Sequence, residues 1–315
     1  MSHRLSILLF TAALSACAGG SIDPADTSQA ETGTAEVQAV ASESQAVSIP
    51  VLTEDWVLDG LDAPESVIPT LAGDGYYVSN VGGEGTDRDN DGAISRIGLD
   101  GTMIERDWIT GTDAVPLHAP KGMTVMRSGK GDALLVTDID HVAFILAAEG
   151  RLAKRLPAPG AGFLNDIAKG PGESAFISDS ANARIYRLEN DEITVWLEDD
   201  RLRGVNGLMM DKGRLLVTTM SAGELLSIDP ETQEITVLAG GMESADGIGV
   251  RADGSYMVSS WPGRLWHVRE GEAPTLLQDT SGEDGAIYMN DVLFLEDRAI
   301  APNWMPGTVR AYHIE

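Results

Sequence analysis

The chain has one cysteine, Cys17, so no disulfide can form within it. It is also poor in positive charge: 22 Lys and Arg stand against 49 Asp and Glu, a formal net charge of −27. Such a surface repels nucleic-acid phosphates and anionic lipid. Nowhere do basic and aromatic residues interleave as a nucleic-acid-binding surface requires. The five histidines are scattered and suggest no zinc cluster. There is no His-Glu-x-x-His, no Gly-x-Ser-x-Gly, no paired-cysteine motif and no phosphate loop. No stretch shows sustained helical periodicity with caps. These absences leave an acidic, strand-built protein whose chemistry rests on oxygen and amide groups.

The N-terminus is a processing segment. His3 and Arg4 give a weakly basic start and Leu5 to Leu14 is mainly apolar, too short to span a bilayer. Leu14-Ser15-Ala16-Cys17 resembles a bacterial lipobox, which implies that residues 1–16 are a signal peptide and that Cys17 is lipidated. Ala18 after the cysteine implies the outer membrane, facing the periplasm. Several acyl chains on one residue anchor firmly where a single chain does not. Residues 17–50 read as a disordered tether, rich in Ala, Ser, Thr, Gln and Gly, with acids but no bases. At roughly 5–6 Å × √n it reaches on the order of 30 Å. Contact with the membrane is expected through the anchor only, and the protein is expected to be monomeric.

Residues 51–315 carry a recurring unit. One copy is Gly204-Val205-Asn206-Gly207-Leu208, followed by the turn Asp211 to Gly213 and then Leu215-Leu216-Val217-Thr218-Thr219. Another is Ala245-Asp246-Gly247-Ile248, then Asp253-Gly254, then Tyr256-Met257-Val258-Ser259-Ser260. Six copies fit, headed by Glu65, Lys121, Asn165, Asn206, Asp246 and Asn290, at spacings of 56, 44, 41, 40 and 44. Each reads as a short inner strand with the head, a glycine turn (Asp74-Gly75, Lys212-Gly213, Asp253-Gly254), an apolar second strand ending in small polar residues, an alternating third strand and an outer strand. The last copy is one strand short, and Thr53 to Asp59 supplies an unpaired strand to complete it. The expected fold is all-β, a six-bladed propeller of four-stranded blades closed by the N-terminal strand.

In a propeller the inner strands run along the channel, so the heads face one another. Two carboxylates that close together cannot both stay ionised without a counter-charge. Hard oxygen donors without His or Cys suit calcium, or magnesium or manganese, over zinc. Lys121 offers two alternatives: it binds an anionic substrate group or oxyanion, or it replaces the metal by pairing with Glu65 or Asp246. His118 lines the mouth as an acid/base or is a surface histidine. Trp261 and Trp304 wall the pocket or pack between blades. An insertion, Gly82 to Ala93, holds Asp87, Asp89 and Asp91 in the opening pattern of a calcium loop, although the twelfth position is Gly98, not Glu. It reads as a peripheral calcium site or a solvated acidic turn.

Pro64-Glu65, Asn165-Asp166, Asn206-Gly207-Leu208 and Asp246-Gly247-Ile248, in order and at blade spacing, resemble the regucalcin/gluconolactonase family. Diisopropylfluorophosphatase and the paraoxonases are more distant relatives. The resemblance covers residues 51–315. It implies that Glu65, Asn165, Asn206 and Asp246 hold a divalent metal, calcium above all, and that Asp246 also serves in catalysis. Read from the residues alone, Asn290-Asp291 and Asn165-Asp166 support these groups from behind or satisfy only backbone groups of the inner strands. The implied function is metal-dependent hydrolysis of a small lactone or related ester. The competing reading is a non-catalytic propeller that binds a peptide, sugar or envelope partner, with a structural metal or lysine in the channel.

Overall fold

A computed structural model of the protein describes residues 49–128, 131–282, 285–295 and 297–315. The signal peptide, Cys17 and nearly all of the tether lie outside the described residues.

Among the described residues there are six antiparallel sheets, each a blade. Five run inner to outer in chain order. In the sixth, Leu52–Leu58 pairs with Thr308–Ile314, Leu52 opposite Ile314 and Leu58 opposite Val309. Thr308–Ile314 pairs in turn with Arg298–Met305, which also pairs with Tyr288–Met289 and Leu293–Leu295. The protein is thus an all-β, six-bladed propeller; among the described residues the one helical element is the short 3-10 turn Asp200–Leu202. Burial follows position in the blade. The second strands Gly75–Asn80 and Ser174–Asp179 are buried throughout, whereas the outer strand Arg151–Pro157 alternates exposed and half-buried.

The apolar core lies between neighbouring blades. Leu135, Val142 and Phe144 of the second blade pack on Leu164, Ile177 and Tyr186 of the third. Val67 and Val78 of the first meet Ile300 and Val309 of the last. Burying such side chains is worth about 1.5–3 kcal/mol each, so each blade is held by the neighbours on either side.

At the channel four inner strands break register in the same way. Pro64 faces Asn80 and Val67 faces Val78, leaving Glu65 and Ser66 opposite Ser79 alone. Asn165 and Asp166 oppose Ser178, Asn206 and Gly207 oppose Thr218, and Asp246 and Gly247 oppose Ser259. Each is a β-bulge of two residues against one, a device that re-aims a side chain. A hydroxyl sits opposite every one. Ser79 Oγ accepts the Ser66 N–H at 3.0 Å, Ser178 Oγ that of Asp166 at 2.8 Å and Ser259 Oγ that of Gly247 at 2.8 Å. Thr218 Oγ1 instead donates to the Gly207 and Asp246 carbonyls. The small polar residues ending the second strands therefore satisfy the backbone groups that the bulges take out of the ladder.

Asn206-Gly207 and Asp246-Gly247 lie on the inner strands Val205–Asp211 and Ala245–Val250, as the repeat predicts. A Cβ on Gly207 would lie 2.3 Å from the Asp246 carbonyl oxygen, and one on Gly247 would lie 2.1 Å from Asp291 Oδ1. These residues are glycine because the next blade's backbone comes too close for a side chain. In the first blade the positive φ falls on Gly73, at 70°, rather than on Gly75.

Candidate functional site

All six heads are buried: Glu65 is 8% exposed, Lys121 3%, Asn165 7%, Asn206 3%, Asp246 6% and Asn290 4%. Together they line one cavity of ≈ 370 Å³. Its walls are Phe163, Met220, Trp261 and Trp304, with Glu84 and Gly85 of the insertion at the side. Below the heads the axis closes: Glu65, Gly122, Asn165, Asp166, Asn206, Gly207, Asp246 and Asp291 leave essentially no open space. Asp166 and Asp291 also line a cavity of ≈ 190 Å³ on the far side of this plug.

Hydrogen bonding separates the polar residues into two groups. Asp166 accepts the N–H of Leu208 in the next blade at 2.6 Å and that of Ile167 at 2.7 Å. Asp291 accepts the Val292 N–H at 2.7 Å and the Ser66 hydroxyl at 3.1 Å. Asn290 donates to the Pro64 carbonyl at 2.9 Å. These three clasp blade to blade. Among the described residues the side chains of Glu65, Asn165, Asn206 and Asp246 have no hydrogen-bond partner within the protein and open onto the cavity floor.

Electrostatics follow from burial. Burial pushes the Asp246 carboxyl up to about 7, and neighbouring Asp166 adds to the shift. Burial also raises Asp166, to about 6, against the pull of its two N–H donors. Glu65 is held well above the usual carboxylate range, first by burial and then by Asp246; Lys121 opposes the shift. Burial, then Asp166 and Asp246, raise Asp291 in the same way. Four carboxyl groups thus crowd the axis with too little positive charge nearby.

Lys121 forms no ion pair with Glu65 or Asp246. Its ammonium donates to the Gly85 carbonyl at 3.0 Å and the Ala119 carbonyl at 2.9 Å, and lies 4.4 Å from the Phe163 ring centre. Burial lowers its pKa, with Glu65 and Asp138 pulling it back up. It stands at the side of the cavity, not at its centre.

His118 does not line the cavity. It is half-buried, its backbone N–H donates to Asp138, and it lies close enough to Asp89 to favour that carboxylate's charge. Nor do Asp87, Asp89 and Asp91 form a three-carboxylate cluster. Asp89 and Asp91 hydrogen-bond to one another, and the Asp87 N–H donates to Glu84 at 3.1 Å. Among the described residues no three His, Cys, Asp or Glu side chains are arranged to hold a metal ion. A cation on the axis therefore depends on two carboxylates and two amides. That set does fit one: four buried oxygen-bearing side chains, all unpartnered, share one floor in surplus negative charge.

Sequence reasoning missed Phe163, Met220, Glu84 and Gly85 as lining residues. The signal was present for two of them. Met220 follows Thr218-Thr219 as Trp261 follows Ser259-Ser260, and Phe163 stands two residues before the head Asn165. Trp261 and Trp304 both wall the cavity, ring centres 6.3 Å apart and nearly perpendicular.

The fold is one that gluconolactonases share. A gluconolactonase from Xanthomonas campestris superposes with a TM-score of 0.63 at 15% identity, covering 86% of this chain and 96% of that one. A putative gluconolactonase gives a TM-score of 0.62 at 14% identity over 84% and 92%. A catalytically inactive histidine-to-alanine variant of virginiamycin B lyase from Staphylococcus aureus, with quinupristin, gives 0.57 at 14% over 84% and 99%. No protein-family model matches the sequence, and no curated protein is similar to it in sequence. At these identities the likeness establishes the architecture.

Proposed function

We propose that this protein is a divalent-metal-dependent hydrolase of small lactones or related esters, with calcium as its metal. One observation carries the reading. Of the polar side chains on the axis, the four left without partners are Glu65, Asn165, Asn206 and Asp246, and they share the floor of a cavity of ≈ 370 Å³. Leaving buried carboxylates unpaired is costly, and such arrangements accompany ligand binding or chemistry. The fold shared with gluconolactonases supports the same class.

Glu65 and Asp246 would hold the ion by charge, and Asn165 and Asn206 by their amide oxygens. When bound, such a cation polarises an ester carbonyl and stabilises the oxyanion that develops. Asp246, whose side chain faces the cavity, would also orient a water and accept its proton. Lys121, beside the floor, orients the carbonyl end of the substrate. The plug of Asp166, Asp291 and the glycines behind the floor excludes water from below.

The lyase-like alternative has less support, because among the described residues no histidine lines this cavity, whereas the lyase variant named above is a catalytically inactive histidine-to-alanine protein. The lipobox-like Leu14-Ser15-Ala16-Cys17 supports attachment to the cell envelope, outer membrane and periplasm-facing. Hydrolysis of a lactone panel, followed by acid release with calcium or with chelator, tests the function. Turnover that chelator abolishes is expected. A calcium-loaded protein that opens no lactone or ester on the panel overturns it.

A further inference from the structure

The floor of the cavity is polar and its walls are not. Above the heads stand Phe163, Met220, Trp261 and Trp304, with Glu84 as the one charged side chain among the wall residues. The free polar groups are confined to the floor, and those beside the walls are partly engaged. Two of the Lys121 ammonium's three N–H groups go to Gly85 and Ala119, which leaves it one for a ligand. Asn290 is spent on Pro64. Glu65, Asn165, Asn206 and Asp246 face the floor.

A polyhydroxylated sugar lactone would bring several hydroxyls into this space and find few donors or acceptors for them. A hydroxyl moved out of water without a partner is strongly disfavoured, and sites that select sugars supply those partners. The two indoles meet edge to face, at 88°, and Trp261 is in turn braced by Tyr288 at 5.4 Å between ring centres. This is a fixed aromatic surface with one apolar side toward the cavity. Its volume, ≈ 370 Å³, is ample for a small ring bearing a substituent.

We propose that the cavity takes a lactone carrying an apolar alkyl or aryl substituent in preference to a sugar lactone. The ring carbonyl meets the floor between Glu65, Asp246 and Lys121, and the substituent lies against Phe163, Met220, Trp261 and Trp304. The proposal rests on the hydrolase reading for the chemistry, but its recognition half stands on the walls alone.

The experiment compares δ-decanolactone, unsubstituted δ-valerolactone and glucono-δ-lactone on the calcium-loaded protein. Binding is measured by calorimetry and turnover by acid release. The alkyl lactone is expected to bind, and to exceed both others in kcat/KM by tenfold or more. Trp304→Ala is expected to lower kcat/KM for δ-decanolactone, mainly through KM, on the order of tenfold more than it lowers that for δ-valerolactone. Binding of the alkyl lactone without turnover of any ester sinks the hydrolase reading and keeps the apolar recognition. Turnover of glucono-δ-lactone above the alkyl lactone keeps the hydrolase and overturns the proposal. Absence of both binding and turnover for all three overturns both. Equal losses on δ-decanolactone and δ-valerolactone in Trp304→Ala also overturn it, since the wall would then be acting on the floor and not on the substituent.

Discussion

The hydroxyl of Ser259 accepts the backbone N–H of Gly247 at 2.8 Å, and this bond fixes the bulge that turns Asp246 toward the cavity. Ser259 is wholly buried, so no water replaces it. Ser259→Ala is expected to cost about 1–3 kcal/mol, the penalty for an unsatisfied buried donor. It should also weaken calcium binding, because Asp246 loses its aim. Thermal unfolding and calcium titration of the same variant check both; a variant that unfolds earlier yet binds calcium normally would show that the hydroxyl serves stability alone.

Removing one axial charge should stabilise the metal-free protein. Glu65 and Asp246 repel each other in a buried site, and Glu65→Gln keeps the shape while deleting the repulsion. The expected gain at pH 8 is on the order of 2 kcal/mol. The variant should gain nothing from added calcium, whereas the parent should gain about 2.7 kcal/mol at a hundredfold excess over Kd. Paired melting curves with calcium and with chelator measure this, and a Glu65→Gln protein still stabilised by calcium would refute the ligand assignment.

The pH dependence has a definite sign. Asp246 is raised to about 7 and Asp166 to about 6 in the fold, from 3.8 in each case. Between those limits the folded chain keeps protons that the unfolded chain has released. Metal-free stability from these groups is therefore full below about 4 and is lost as pH rises through about 7. Calcium competes with those protons, so its stabilising effect should grow over the same range. Melting at pH 5.5 and pH 8, with and without calcium, gives the comparison; a calcium shift as large at pH 5.5 as at pH 8 would contradict it.

Lys121 repels a cation near Glu65 while its backbone bonds hold the insertion at Gly85. Lys121→Met should tighten calcium binding severalfold and lower kcat/KM, since the carbonyl end of the substrate loses its donor. Weaker calcium binding in this variant would show that the lysine shapes the ligand set instead of opposing the ion.

Much of this was legible in the sequence because the repeat carries both the architecture and the site. The heads could be aligned from their spacing, and alignment in a propeller means convergence on the channel. The inner strand at Asn206-Gly207 was legible, but the reason for its glycine was not. Its glycine answers a contact with Asp246 some forty residues on, and a local pattern cannot show that. The same holds for Lys121, whose partners Gly85 and Ala119 come from an insertion and a loop with no repeat counterpart. His118 was open between the mouth and the surface; its backbone N–H donates to Asp138 and it does not line the cavity. Asp166 and Asp291 follow their heads in the chain as Gly207 and Gly247 follow theirs. Only the assembled ring shows that the acids clasp neighbouring blades while the glycines make room for them.

Isothermal titration of calcium into the metal-free protein and into Asp246→Asn is the most direct measurement of the axial assignment. One ion per chain bound by the parent, and none by the variant at the same concentrations, is the result expected. A parent that gives no binding heat and no thermal shift with calcium, magnesium or manganese, or a variant that binds as the parent does, would contradict it.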